Sequence, residues 1–194
     1  MPSGRTSGPG SWDTDQAMFL QNWGASPDEI AGPVVGDDLC PEARVVATRC
    51  ITLGAPPAEV FPWLRQMGFR RAGWYSYDWL DNLGRRSATQ IHPEWQDVVA
   101  GSRVPAGPMS FEAAVVEPPH AFVLRVGSGD SAKSRIRFVL AFELRPIDEA
   151  TRLVTRVRIR IDAPGGWLFE RFVLGPGDGI MVRKQLLNLK RRTS

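Results

Sequence analysis

The sequence predicts an α+β domain in which a curved antiparallel sheet wraps around a long C-terminal helix. Two observations lead to this class. The C-terminal half of the chain alternates apolar and polar residues with a period of two, which is typical of half-buried strands. From residue 166 onwards, apolar residues recur instead at helical spacing. With 194 residues, 43% of them hydrophobic, the chain is long enough for one well-buried core and short for two.

Two strands that form a hairpin are predicted in the C-terminal half. In residues 136–144 every second residue is apolar, and the positions between them include arginines and a glutamate. Residues 152–161 repeat this pattern, and the turn around Pro146 joins the two strands. Two earlier strands are also predicted. The apolar residues of the first are Phe111, Ala113 and Val115, and those of the second are Phe122, Leu124 and Val126. Because each strand has one polar and one apolar face, we expect an antiparallel sheet that covers another layer.

The N-terminal half supplies one strand and two helices. Residues 44–53 contain β-branched side chains and predict the first strand. A helix over residues 57–67 follows, because apolar side chains recur there at helical spacing. Ser76 is a suitable N-cap for a short helix over residues 77–83. Residues 101–108 are rich in turn-forming residues and predict a loop.

The last segment predicts an amphipathic helix with an interruption. Apolar residues cover 167–173 and 180–189, and Gly175, Pro176 and Gly177 lie between these runs. The elements therefore follow the order of a strand, two helices, a series of antiparallel strands and a closing helix. This is the order of a helix-grip fold, in which the sheet wraps the final helix and a cavity lies between them, although periodicity alone predicts only an α+β domain with an antiparallel sheet.

The chain divides into a leader and a domain. Residues 1–41 form the leader, and its first ten residues are rich in Gly, Ser and Pro, which predicts disorder. Residues 13–23 have apolar side chains near helical spacing and predict a short helix. Residues 42–194 form the domain, which begins just before the first predicted strand.

The distribution of charge argues against a nucleic-acid-binding face. The net charge is +3, and five basic residues follow the last acidic residue, Asp178. Residues 1–178 therefore carry 19 basic and 21 acidic groups. Nucleic acid binding requires clustered cations along a surface, so no nucleic acid partner is expected. The basic tail is a solvated helix end in the simpler interpretation, and a weak contact with an acidic surface is the alternative.

Cysteine usage and hydropathy exclude several classes of protein. Cys40 and Cys50 are the only cysteines, and no histidine cluster accompanies them, so we expect no metal site. No apolar run approaches the roughly 20 residues that span a bilayer. The N-terminus lacks the apolar segment of a signal peptide. These features predict a cytoplasmic protein with two reduced thiols and without a metal or another cofactor.

Residues 71–82, with the sequence RAGWYSYDWLDN, contain the densest set of candidate functional groups. They include both tyrosines of the chain, two of its seven tryptophans and two carboxylates. Amphipathic rings can pack their apolar faces while their OH and NH groups reach a polar cavity or a partner. The ligand-binding candidates here are Trp74, Tyr75, Tyr77, Asp78 and Asp81. In the structural alternative, the rings clamp a short helix onto the sheet, and the carboxylates cap it or pair with arginines.

A second polar and aromatic loop covers residues 91–97. His92 and Trp95 are ligand-binding candidates there, and His92 is also a candidate general base, because imidazole changes protonation near neutral pH. His92 with Glu94 resembles the HxE motif of zinc deaminases, but no PCxxC motif follows it. Asp78 is the other catalytic candidate, in combination with Asp81 if burial gives the two carboxylates different proton affinities.

The chain resembles bacterial members of the SRPBCC superfamily, the START and Bet v 1-like group that includes polyketide cyclases. The resemblance is carried by AGWYSYDWLDNLGR at residues 72–85, IHPEWQDV at residues 91–98 and the closing segment VRKQLLNLKRR. It extends over residues 44–192 and implies a helix-grip fold with a hydrophobic pocket. It implies no catalytic set, because this branch has no agreed one to map. The sequence departs from related chains in the interruption at residues 175–177 and in the long leader.

Three functions are consistent with these features. The first is binding of a small hydrophobic molecule, a lipid or a polyketide-like compound, between the sheet and the closing helix. The second is an enzyme of the cyclase, dehydratase or hydrolase kind that uses the same cavity. The third is an interaction module whose exposed aromatic patch binds another chain. Paired polar groups inside the cavity would favour the enzyme, and a large aromatic patch outside any pocket would favour the module.

Overall fold

A computed structural model describes residues 21–126, 135–164, 166 and 175–194. Within these residues the chain forms one six-stranded sheet with the order β1-β6-β5-β4-β3-β2, in which all neighbouring strands are antiparallel. The strands are β1 (Val45–Leu53), β2 (Arg103–Ala106), β3 (Met109–Glu117), β4 (Ala121–Val126), β5 (Ile136–Ile147) and β6 (Ala150–Ile161). The predicted α+β class with an antiparallel sheet is therefore confirmed.

Helices lie before the sheet, between its first two strands and at its end. They are α1 (Pro27–Ala31), α2 (Pro57–Arg65), α3 (Asp78–Asp81) and α4 (Gly175–Arg192), with 3-10 helices at Asp37–Leu39 and Pro93–Trp95. Among the described residues, no helix combines the length and apolar character that crossing a membrane requires.

The main core lies between one face of the sheet and the helices α2 and α4. Leu140, Phe142 and Leu144 of β5 are buried on this inner face, as their alternation predicts. Val60, Phe61 and Leu64 of α2 join the same core, and so do Val182, Leu186 and Leu189 of α4. Burial of these apolar side chains is the main force that holds the helices on the sheet.

The outer face of the sheet, which carries the polar residues of the alternating pattern, is less exposed to solvent than that pattern predicts. Val34 and Cys40 pack there against Val139 and Ala141 of β5 and form a second, smaller core. Arg156 of β6 belongs to the parity expected to face solvent, yet it is only 3% exposed. The expectation fails because residues 21–41 cover part of this face. The division of the chain at residue 42 stays a prediction.

A β-bulge changes the predicted parity of β3. Ala113 pairs with Leu124 and Val115 with Val123, so the register shifts between them. Phe111 and Ala113 consequently face the main core, whereas Val115 packs with the second core on the outer face. The sequence pattern places all three on one face, because a period-two pattern cannot anticipate an inserted residue.

Residues 101–108 are not only a loop, because they include the strand β2. Arg103 pairs with Glu112 and Ala106 with Met109, which makes a tight hairpin with β3. This strand lies at the edge of the sheet and contains Pro105. An edge position tolerates proline because one side of the strand needs no hydrogen-bond donor.

The short helix α3 is shorter than predicted, and Ser76 is not its N-cap. Tyr77 occupies the N-cap position, and the Ser76 hydroxyl donates instead to the carbonyl oxygen of Met181 on α4, at 3.0 Å. The predicted helix over residues 57–67 is confirmed with an end at Arg65. Residues 1–20 and 167–173, which include most of the predicted N-terminal helix and an apolar run of the closing segment, lie outside the described residues. Gly175, Pro176 and Gly177 begin α4.

Candidate functional site

A cavity of about 510 Å³ lies between the inner face of the sheet and α4. Aromatic and aliphatic side chains make most of its wall, and a few polar groups interrupt it. Its lining comprises Phe69, Arg70, Trp74, Ser76, Leu80, Asp81, Leu83, Ala106, Gly107, Pro108, Phe111, Leu140, Asp178, Met181, Val182 and Gln185. The volume lies in the range of pockets that bind small molecules.

Two aromatic residues form a rigid part of the wall. The rings of Trp74 and Phe111 meet edge to face, with 5.4 Å between their centroids. Phe111 in turn contacts Phe138 of β5 at 5.6 Å. Edge-to-face contacts fix ring orientation, so these residues give the cavity an apolar wall of stable shape.

Hydrogen bonds hold α4 against the segment that contains Trp74. Gln185 of α4 donates through Nε2 to the carbonyl oxygen of Trp74, at 2.9 Å, and is buried. Asn188 donates to the carbonyl oxygen of Tyr75, at 2.8 Å. Together with the bond from Ser76 to Met181, these contacts attach three successive residues to one helix. The cavity is therefore bounded by elements that are fixed relative to each other.

A buried ion pair lies at the wall of this mostly apolar cavity. Arg49 of β1 projects from the inner face with its side chain fully buried, and its Nη1 donates to Asp178 Oδ2 at 2.7 Å. The side chain of Asp178 is 16% exposed and lines the cavity. Burial raises the pKa of Asp178, and the nearby Arg49 guanidinium opposes that rise.

Asp81 is a second carboxyl group in the lining. Both of its carboxylate oxygens are shielded from solvent, and neither makes a hydrogen bond of ordinary geometry within the described part of the chain. Burial, with a smaller contribution from the charge of Asp78, raises the pKa of Asp81 to about 6. The backbone amides of Asp81 and Tyr77 offset this rise only in part.

The structure brings two of the predicted site residues, Trp74 and Asp81, to the cavity. Tyr77, Asp78, His92 and Trp95 are not among its lining residues, and neither is Tyr75. His92 and Trp95 belong to a separate loop, and the backbone before α3 bears on the placement of residues 74–78. Gly73 and Tyr75 both have positive φ, at 76° and 58°, so the chain bends here, and Trp74 faces the cavity while Tyr75 lies in the core.

Tyr75 is part of the core rather than of the cavity wall. It is fully buried, its hydroxyl donates to the carbonyl oxygen of Trp63 at 3.1 Å, and it accepts from Gln66 Nε2 at 2.8 Å. The guanidinium of Arg192 lies 4.8 Å from its ring centroid. Burial raises the pKa of Tyr75, so its hydroxyl stays protonated at neutral pH and joins α2 to the turn.

Asp78 holds the loop that follows α3. Its carboxylate accepts from the Ser87 backbone N–H at 3.1 Å and from the Ser87 hydroxyl at 2.5 Å. Tyr77 is half-buried at the start of α3, and Lys184 Nζ lies 5.9 Å from its ring centroid. The contacts of Asp78 correspond to the structural alternative for this carboxylate.

The loop of residues 91–97 packs beside α2. The His92 ring stacks on Trp95 at 4.3 Å between centroids, and its Nδ1 lies 3.2 Å from Glu94 Oε1. The backbone N–H of His92 donates to Gln66 Oε1 at 3.0 Å. Within the described residues, no three His, Cys, Asp or Glu side chains lie close enough to hold a metal ion.

The ion pair of Arg49 and Asp178 is not among the features that the sequence predicts. A signal for Arg49 exists, because it shares the parity of Ile51 and Leu53 on β1, both of which face the main core. A cation in an apolar register indicates a buried partner. No local pattern indicates Asp178, because it meets Arg49 only when α4 packs across the sheet.

Three solved structures resemble the chain at low sequence identity. DynU16, a protein of the dynemicin biosynthetic locus, is 18% identical with a TM-score of 0.45, and the match covers 75% of this chain and 47% of DynU16. MLL2253 from Mesorhizobium loti is 18% identical with a TM-score of 0.43, over 76% of this chain and 98% of that protein. A protein from Nitrosospira multiformis is 16% identical with a TM-score of 0.46, over 77% and 97%.

The chain thus spans about half the length of DynU16, at 47%, and nearly all of the other two proteins. No curated protein matches it.

A curved antiparallel sheet that encloses a ligand-sized cavity with a C-terminal helix defines the helix-grip class of proteins. The chain belongs to the polyketide cyclase / dehydrase and lipid transport family, whose model matches residues 42–193. This membership confirms the resemblance to the SRPBCC superfamily.

Proposed function

We propose that the protein binds a small hydrophobic molecule, a lipid or a polyketide-like compound, in the cavity between the sheet and α4. The observation that carries this proposal is the cavity itself, about 510 Å³ in volume with a mostly apolar wall. Burying apolar ligand surface contributes roughly 25 cal/mol per Å² before the entropic costs of binding. The rings of Trp74 and Phe111 supply apolar contact area for such a ligand.

The polar groups of the wall orient the ligand. Asp178 is held by Arg49 and is partly open, so it can accept a hydrogen bond from a ligand hydroxyl. Trp74 provides apolar contact, and the bond from Gln185 to its carbonyl oxygen holds its backbone on α4. Tyr75, Tyr77, Asp78, His92 and Trp95 then act indirectly, by holding the turn, α3 and the adjacent loop in position.

The cytoplasm is the compartment that we propose, in a bacterial cell. Cys40 and Cys50 are both buried free thiols. Burial raises the pKa of both thiols, which keeps them protonated and unreactive. Thiols of this kind persist in a reducing compartment.

Filling the cavity tests the binding proposal. Ala106 of β2 is half-buried in the lining, so Ala106→Trp would place an indole ring in the space for ligand. Val46→Trp adds the same ring to an exposed site on β1 and is the matched control. Each protein would be purified and studied by native mass spectrometry, with extraction of any bound compound and titration with a fluorescent apolar probe.

We expect wild type and Val46→Trp to bind the probe equally and Ala106→Trp to bind it weakly, with all three folded by circular dichroism. Equal binding by all three proteins would refute ligand binding in this cavity. A co-purifying compound near one-to-one stoichiometry would identify the ligand class.

A second candidate function is a cyclase or dehydratase reaction in the same cavity. The observation that favours it is the presence of two lining carboxyl groups, Asp81 and Asp178, whose pKa values are both raised by burial. Asp81, whose pKa is raised to about 6, can keep its proton close to neutral pH and act as a general acid, whereas Asp178 is the carboxylate partner of Arg49. Turnover of the extracted compound class that is lost in Asp81→Asn and declines as pH rises above about 6 would support this function. Binding without turnover would contradict it.

A further inference from the structure

Large apolar side chains are exposed on α3 and in the turn that follows it. Trp79 is 71% exposed, Leu80 51% and Leu83 76%. A four-residue helix with three such residues in or beside it is unusual for a surface in water. Leu83 adopts a positive φ of 50°, which a branched apolar side chain rarely does. Its side chain contributes little to the core, so the fold does not account for it.

Two of these three side chains lie at the cavity. Leu80 and Leu83 are themselves lining residues. Met109, which follows the lining residues Gly107 and Pro108, is 56% exposed, and Ile180, which precedes the lining residue Met181, is 47% exposed. We call this set the apolar rim, and it consists of Trp79, Leu80, Leu83, Met109 and Ile180.

Among the described residues around α3, the exposed charged side chains are basic. Arg70, Arg85 and Arg86 are exposed residues that flank α3, and Lys184 lies against Tyr77 at its start. The acidic groups of the same elements are withdrawn from solvent or paired. Asp78 is bonded to Ser87, Asp81 has buried oxygens, and Asp178 pairs with Arg49.

We propose that the apolar rim docks onto the surface of an anionic lipid bilayer, with the cavity facing the membrane. Exposed Trp and Leu side chains insert at the boundary between headgroups and acyl chains, where an indole ring is particularly favourable. Cations around them attract anionic headgroups. The exposed charges of this face are positive, and α3 itself exposes no acidic group. The face therefore complements the anionic headgroups of a bilayer. The docking is independent of whether the cavity holds a ligand.

Vesicle co-sedimentation tests the docking on the full chain. Wild-type protein would be mixed with vesicles of phosphatidylcholine alone and with vesicles of equal parts phosphatidylcholine and phosphatidylglycerol. We expect binding to the mixed vesicles that weakens as salt is added. Trp79→Ser should reduce the partition coefficient about tenfold, because it removes the largest inserting side chain. Arg85→Gln and Arg86→Gln should each reduce it about fivefold.

Control variants separate the apolar rim from other surfaces. Ile147→Ser removes an exposed apolar side chain, 45% exposed, at the hairpin of β5 and β6. Lys190→Gln with Arg191→Gln removes two exposed cations from the C-terminal tail. Neither control should change the partition coefficient. Circular dichroism and the apolar-probe titration establish that each variant is folded and whether its cavity still binds.

Several results would overturn the docking proposal. One is absence of binding to the mixed vesicles, and another is loss of binding in the tail variant with retention in Trp79→Ser. A wild-type dimer that Trp79→Ser converts to a monomer would instead assign the apolar rim to a second copy of this chain. Vesicle binding with an empty cavity, or probe binding without vesicle binding, would tell the docking proposal and the proposed function apart.

Discussion

Arg49 Nη1 and Asp178 Oδ2 lie 2.7 Å apart and connect β1 to α4 at the wall of the cavity. Arg49 is fully buried, so its charge has little contact with solvent. A buried pair contributes less to stability than its short distance suggests, because both groups lose hydration. The ion pair instead fixes the position of the Asp178 carboxylate in the wall of a mostly apolar cavity.

Removing only the carboxylate should strongly destabilise the protein. Asp178→Asn removes the Asp178 carboxylate from the buried Arg49 cation, and breaking a buried ion pair in this way typically costs about 3–5 kcal/mol. The double variant Arg49→Met with Asp178→Leu removes both charges and should recover most of the loss. Urea unfolding of the three proteins measures the difference. If Asp178→Asn had the same free energy of unfolding as wild type, the Asp178 carboxylate would not stabilise the buried charge of Arg49.

Asp81 should make the stability of the protein depend on pH between about 4 and about 6. Burial raises the pKa of Asp81 from 3.8 to about 6, so the folded state binds this proton more tightly than the unfolded state. Stability therefore falls as pH rises from about 4 to about 6 and is lower above that window. We expect Asp81→Asn to flatten this dependence.

The same substitution should also change the free energy of unfolding at neutral pH. After allowance for solvent screening of a half-buried group, Asp81→Asn should stabilise the protein by about 1–2 kcal/mol at pH 7. Denaturant unfolding at a series of pH values measures both effects. A variant whose stability parallels that of wild type at every pH would show that Asp81 ionises normally.

The sequence predicts the hairpin of β5 and β6 because the period-two pattern is local and uninterrupted there. It fails at Val115, where the bulge in β3 reverses the parity, and at residues 101–108, where a proline at an edge strand resembles a loop. Both failures concern irregular backbone, which side-chain periodicity does not encode.

The candidate site is only partly predictable for a related reason. Trp74 and Asp81 reach the cavity, whereas Tyr75 and Asp78 serve the fold. Composition identifies the segment, but the positive φ of Tyr75 decides which side chains face which layer. Asp178 depends on packing between distant segments and has no local signal.

The two tyrosines should respond differently to loss of the hydroxyl group. Tyr75→Phe removes two buried hydrogen bonds, those with Gln66 and Trp63, and should cost about 1–3 kcal/mol. Tyr77→Phe is the matched control, because within the described part of the chain the Tyr77 hydroxyl makes no hydrogen bond. Thermal and urea unfolding compare the two variants. Equal stability of both would mean that the Tyr75 hydroxyl does not hold α2 to the turn.

Residues 21–41 should stabilise the domain, although the family match begins only at residue 42. Arg156 of β6 lies under this segment and donates to the carbonyl oxygens of Gly32, Glu29 and Ile30 at 2.8–3.0 Å. It also donates to Asp37 Oδ2 at 2.8 Å. A chain that begins at residue 42 loses all four acceptors and uncovers the second core on the outer face.

We therefore expect a chain that begins at residue 42 to unfold at a lower urea concentration than one that begins at residue 21. Its free energy of unfolding should be lower by at least about 3 kcal/mol. Arg156→Met in the full chain is the matched variant, because it removes the donor but keeps the cover over Val34 and Val139. It should cost less than the truncation, since the apolar contacts of that cover remain. Equal unfolding midpoints for the two truncated chains would mean that residues 21–41 rest on the sheet without stabilising it.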